Sequence, residues 1–121
     1  MIDTMVFDRL VDDPDAFETV ERALRERRLA LFTTPVQEAQ LAAVADPRRR
    51  KLLRSVPREA VPAAGYDVTS SRHAADAAIA DAAAARCDVL VTEDRRFTER
   101  ALAQGLDVWN VDRLLLEVEP T

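Results

Sequence analysis

A chain of 121 residues has room for one domain, and at this length it buries roughly two-thirds of the surface its unfolded form exposes, so its core needs neither disulfide nor structural zinc. One cysteine, Cys87, excludes an intramolecular bridge and a thiolate metal cage. The balance of 17 Lys and Arg against 22 Asp and Glu excludes the broad basic face of a protein that coats duplex DNA, and 32% charged residues exclude a membrane-spanning chain.

The first seven residues read as a short strand interrupted by Asp3, and they reach Asp8, Asp12, Asp13 and Asp15 without the basic and apolar regions of a secretory leader. A cytoplasmic location is therefore expected. Residues 14–28 read as a helix, with Asp13 as N-cap and Phe17, Val20, Ala23 and Leu24 at helical spacing. Residues 29–33 (LALFT) form an apolar run flanked by breakers, hence a strand. Thr34, Pro35 and Gln37 are spaced as a capping box, which starts a helix reaching about Ala45 with Glu38 in its first turn.

After Asp46 and Pro47 a basic helix spans residues 48–55, with Leu52, Leu53 and Val56 as its apolar side. Residues 57–69 hold two prolines and Gly65 without a period and are expected to be a loop. Ser70 or Ser71 then caps an alanine-rich helix to Arg86. Residues 88–92 (DVLVT) are the clearest strand, residues 95–104 a helix closed by Gly105, residues 106–111 a strand and residues 112–118 a last helix. Alternation of this kind implies an α/β domain over residues 1–121, with a mainly parallel sheet covered by helices on both faces, a three-layer α/β/α arrangement.

Functional groups of such sheets collect beyond the carboxyl ends of the strands. Asp3 ends the first expected strand, and Asp94 follows the DVLVT strand by two residues. Glu38 opens the helix after LALFT, and Asp76 lies near the start of the helix before DVLVT. Four acids brought together raise one another's pKa, and a divalent cation offsets that cost. Oxygen-only ligands select Mg²⁺ or Mn²⁺, since His73 and Cys87 are too few for zinc. Chemistry of this class suits phosphodiester hydrolysis.

The opening Met1-Ile2-Asp3-Thr4, the mid-chain Glu38, the run from Asp76 to Ala80 and the segment from Leu90 to Phe97 resemble the PIN domain family, in order and spacing over nearly the whole chain. The most specific part runs from Asp76 to Phe97, where an acidic helix start is followed by an apolar strand ending in Thr-x-Asp-x-x-Phe. The resemblance implies a Mg²⁺- or Mn²⁺-dependent endoribonuclease, often the VapC-type toxin of a toxin–antitoxin pair. It makes Asp3, Glu38, Asp76 and Asp94 the catalytic quartet, with Asp3, Asp76 and Asp94 as metal ligands. Met5 departs from the family, which often has Asn or Ser there.

Thr92, Asp81 and Glu93 are candidate supporting residues. Five helical residues turn about 500°, so Asp76 and Asp81 cannot both face one site squarely. Arg95, Arg96, Arg48 and Arg49 are the candidate RNA contacts, and with the rest of the Arg48–Lys51 run they are sources of a modest, salt-dependent attraction. Expected partners are single-stranded or looped RNA, an antitoxin protein and, in a homodimer, a second copy of the chain; no membrane is expected. His73 is expected as a surface or capping residue, and Trp109, Phe97 and Cys87 as core or interface residues.

Two rival readings fail on single positions. A receiver domain needs a lysine after a late strand, and the one lysine, Lys51, lies mid-chain; a haloacid-dehalogenase-type phosphatase needs Asp-x-Asp where this chain has Asp3-Thr4-Met5. The remaining alternative is a PIN-like protein-binding module with weak or no nuclease activity.

Overall fold

The computed structural model describes residues 1–62 and 72–119, and of residues 72–76 the backbone alone. The expected N-terminal strand stops at Asp3, and helix α1 (Thr4–Asp12) follows at once. Packing explains the difference. Strand alternation would send Val6 and Phe7 to opposite faces, whereas a helix lets Val6, Phe7 and Leu10 share one side, and all three are buried.

Helix α2 (Pro14–Arg25) begins as its sequence indicates, with the Asp13 carboxylate accepting from the backbone N–H groups of Asp15 and Ala16. It ends three residues early because Arg27 adopts a left-handed φ of 60°, a conformation that stops an L-residue helix. Strand β1 is only Phe32–Thr33, and helix α3 (Pro35–Ala42) carries the complete capping box between Thr34 and Gln37. Helix α4 (Pro47–Arg54) is capped by the Asp46 carboxylate.

Part of the expected loop is instead strand β2 (Glu59–Ala60), paired in parallel with β1 in the register Phe32 to Glu59 and Thr33 to Ala60. Two residues between Pro57 and Pro62 are too short to show a period in sequence. Positions 63–71, including Gly65 and the caps expected at Ser70 or Ser71, lie outside the described residues. Helix α5 (Arg72–Arg86) leads into strand β3 (Val89–Val91), then helix α6 (Arg95–Ala103), strand β4 (Asp107–Trp109) and helix α7 (Val111–Val118). Gly105, with φ of 82°, supplies the left-handed residue that ends α6 and turns the chain into β4.

Strands β3 and β4 pair in parallel, Val89 with Asp107 through Val91 with Trp109. The N-terminal segment joins the two strand pairs. The Val91 N–H donates to the Met1 carbonyl and the Asp3 N–H to the Val91 carbonyl, both at 2.9 Å, while the Ile2 N–H donates to the Phe32 carbonyl at 3.0 Å. The lateral order is therefore β2, β1, the N-terminal segment, β3, β4. The result is a mixed helix and strand domain with short parallel strands.

Side chains along the strands alternate between two cores. Ile2 and Val91 join α1, α2, Leu41, Leu53 and α7 in one cluster; Met1, Leu90 and Phe32 join α5, α6 and Leu106 in the other. Period-two alternation covers both faces of β1 and β3, strands only two and three residues long. No helix among the described residues is long and apolar enough to cross a membrane.

Candidate functional site

In parallel strands the carboxyl ends share one edge, and the residues that leave β1, β3 and the N-terminal segment emerge there. Asp3 occupies the N-cap position of α1, yet its side chain makes no capping hydrogen bond. That is unlike Asp13, Thr34, Asp46, Asp94 and Asn110, whose side chains each accept from the first turn of their own helix. The Asp3 carboxylate instead turns across the edge to β3. Its Oδ2 accepts from the Thr92 hydroxyl at 2.8 Å, in a position only 8% exposed.

Thr92 also accepts at the same oxygen, from the Asp94 backbone N–H at 3.0 Å. One buried hydroxyl thus links the carboxylate of Asp3 to the backbone that places Asp94. The Asp94 side chain stands at the start of α6, where its Oδ1 accepts from the N–H groups of Arg96 at 2.9 Å and Phe97 at 3.2 Å. Phe97 anchors that helix in the second core. Capping spends one carboxylate oxygen on the helix, which fixes the direction of the other.

Glu38 reaches the same edge from α3. Its Oε2 accepts from the buried Thr33 hydroxyl at 2.6 Å, and the Arg58 guanidinium grips both oxygens, at 2.9 Å to Oε1 and 3.1 Å to Oε2. The Arg58 hydrogen bonds hold the Glu38 carboxyl below its usual range against the opposing effect of burial, and the Thr33 bond adds to that depression. Arg58 is itself held, donating to the Leu53 and Val56 carbonyls and lying 5.1 Å over the Phe7 ring. Glu38 is thus charged and already balanced by a cation of the same chain.

The backbone of Asp76 lies in the second turn of α5, a helix packed on β3 and α6; its side chain, like that of His73, lies outside the described residues. Asp81 is exposed and accepts from the Gln104 amide at 2.9 Å, which ties α5 to the end of α6. Glu93 accepts from Arg9 at 2.6 Å and from the Val111 N–H at 3.0 Å, so it joins α1 to the start of α7. Thr92 is the supporting residue that the structure places against an expected metal ligand.

The expected RNA contacts divide in the same way. Arg49 is bound to Asp8 and Asp12, each at 2.8 Å, and serves the α1–α4 packing. Arg48 and Arg96 are exposed, and Arg95, with its side chain 94% exposed, approaches Glu99 at 3.9 Å. Phe97 is buried; Trp109 and Cys87 are half-buried, with Arg113 lying 5.3 Å over the Trp109 ring.

No protein-family model, curated protein or solved structure matches this chain. Among the described residues no group of three or more His, Cys, Asp and Glu side chains converges. What the edge does present is oxygen: the carboxylates of Asp3 and Asp94 beside the Thr92 hydroxyl, a donor chemistry that fits a hard divalent cation and not zinc.

Sequence reasoning did not find Arg58, Thr33 or Gln37. Arg58 follows Glu38 by 20 positions with no spacing to connect them. The spacing of Gln37 indicates only a capping residue, yet its amide also donates to the Ile2 carbonyl and pins α3 to the N-terminal segment.

Proposed function

We propose that this chain is a Mg²⁺- or Mn²⁺-dependent endoribonuclease with a three-layer PIN-like fold, acting on single-stranded or looped RNA. The observation that carries the reading is the Asp3 carboxylate. It forgoes its own helix cap, is buried, and is held by Thr92 beside Asp94 at the carboxyl edge of adjacent parallel strands. A solvated surface acid needs none of this. The two cores on either side of the strands support the layered fold.

In this reading Asp3 and Asp94 hold the cation together with Asp76, and Thr92 orients Asp3. When bound, the cation supplies charge for the developing phosphate oxygens and activation of the attacking water. Glu38, neutralised by Arg58, shapes the edge of the site. Unpaired RNA fits an edge that must admit a splayed strand. An antitoxin protein would cover the same edge, with an arginine standing in for the cation's charge.

The test is cleavage of a panel of single-stranded and looped RNAs with Mg²⁺ or Mn²⁺, against Asp94→Asn and EDTA controls. Metal-dependent cutting lost in Asp94→Asn, and slowed growth on expression of the active chain alone, are expected. Equal harmlessness of both chains with no cleavage would favour the protein-binding module, a reading to which the balanced charge of Glu38 also lends weight.

A further inference from the structure

A second polar recess opens beside the acidic edge. It has a volume of about 90 Å³ and is lined by Glu38, Leu41, Ala42, Arg50, Arg54 and Arg58. By the same measure one water needs only about 15 Å³, so the recess has room for a hydrated anionic group. Three guanidinium groups and one carboxylate surround it, a surplus of two positive charges. Glu38 forms the shared wall, since it also stands at the carboxyl edge of β1 beside the segment that carries Asp3.

The three arginines are not equivalent. Arg58 is consumed by Glu38, two backbone carbonyls and the Phe7 ring. Arg50 and Arg54 are four residues apart on α4 and so lie on one face. Arg50 spends one N–H on the Val44 carbonyl at 3.1 Å, and Arg54 has no hydrogen-bond or ion-pair partner among the described residues. Guanidinium groups with donors to spare, facing a recess with surplus charge, match the geometry of phosphate oxygens.

We infer that this recess is a phosphate subsite, in which Arg50 and Arg54 hold a backbone phosphate of a single-stranded RNA next to the edge formed by Asp3 and Asp94. This rests on the ribonuclease reading. Within the Arg48–Lys51 run it places phosphate recognition on Arg50 and adds Arg54 beyond the run, because Arg49 is already bound to Asp8 and Asp12.

The test measures binding of the full chain to a fluorescein-labelled single-stranded RNA by anisotropy, in EDTA so that no metal-dependent cleavage intervenes, over about 50 to 200 mM salt. Each lost contact to a single strand lowers the steepness of log affinity against log salt by about 0.7. Arg54→Gln is expected to lower it by about 0.7 and Arg50→Ala/Arg54→Ala by about 1.4, with weaker binding throughout. Arg22→Ala/Arg25→Ala, which removes two charges from α2 outside the recess, is expected to leave it unchanged.

Arg54→Gln removes no hydrogen bond found among the described residues, so its folding is expected to be intact, and the melting temperature of each variant checks this. A salt dependence of Arg54→Gln equal to the wild type would overturn the subsite, as would binding of an acidic peptide through Arg54 with no RNA binding. RNA binding that depends on Arg54, without cleavage on addition of Mn²⁺, would keep the subsite and remove the nuclease; cleavage with binding indifferent to Arg54 would do the reverse.

Discussion

Thr92 and Asp3, 89 positions apart in sequence, are joined by a hydroxyl-to-carboxylate hydrogen bond of 2.8 Å in a buried position. The same hydroxyl oxygen accepts from the Asp94 N–H. Thr92→Val keeps the shape and removes both bonds, leaving a buried carboxylate and a backbone N–H without that partner. We expect a loss of about 1–3 kcal/mol in stability, read by urea denaturation, and a fall in RNA cleavage larger than the loss of folded protein. Wild-type cleavage by the valine variant would show that the orientation of Asp3 is irrelevant to the reaction.

Asp94 caps α6, and in the proposed reaction it also holds the cation. Asparagine caps a helix as well as aspartate does, whereas alanine does not. Asp94→Asn should keep the melting temperature and lose metal-dependent cleavage. Asp94→Ala should lose both, at a cost of about 1 kcal/mol for the missing bonds to Arg96 and Phe97. Thermal melting beside single-turnover cleavage separates the two tasks. If Asp94→Asn cuts RNA at the wild-type rate, Asp94 is only a cap.

The pair of Glu38 and Arg58 sets a pH dependence of stability. Arg58 depresses the folded-state pKa of Glu38 below its usual 4.5, so the pair stabilises the fold fully above that value, and the stabilisation is lost as pH falls through the lower, folded-state pKa. Glu38→Gln should cost about 1.5–3 kcal/mol at neutral pH, the range for hydrogen bonds to charged groups. The gap between wild type and variant should close progressively below about pH 4.5. A gap that persists unchanged at pH 3 would mean that packing, and not the ion pair, carries the effect.

Metal binding should be visible without catalysis. At about 100 times its dissociation constant, Mn²⁺ should raise the unfolding free energy of the wild type by about 2.7 kcal/mol, with Asp3→Asn insensitive to it. In metal-free buffer Asp3→Asn should be about as stable as the wild type, because the amide oxygen can still accept from the Thr92 hydroxyl. Mg²⁺ and Mn²⁺ should support turnover, Ca²⁺ should bind with little turnover, and EDTA should stop the reaction. Vigorous cleavage in EDTA would rule out the metal mechanism.

Local chemistry made much of the fold legible in the sequence. Asp13, Thr34 with Gln37, and Gly105 announce helix boundaries because capping depends on residues one to four positions apart. The DVLVT strand and the alternation of strands with helices follow from hydrophobic patterning, which is likewise local. The placement of Asp3 and Asp94 at one edge was also legible, since parallel strands send their carboxyl ends the same way. Other features lay beyond any local rule. Whether the first seven residues continue as a strand or turn into α1 depends on Phe7 and Leu10 finding a common core with α2 and α7. β2 exists only because β1 offers it a partner. The charges follow the same rule: the sequence offers Glu38 as a catalytic candidate, Glu93 and Asp81 as supporting residues and Arg49 as an RNA contact, and tertiary packing commits Glu38 to Arg58, Glu93 to Arg9, Asp81 to Gln104 and Arg49 to Asp8 and Asp12. An ion pair is selected by where two distant segments meet, and that meeting is settled by burial of their apolar neighbours, which no spacing along the chain encodes.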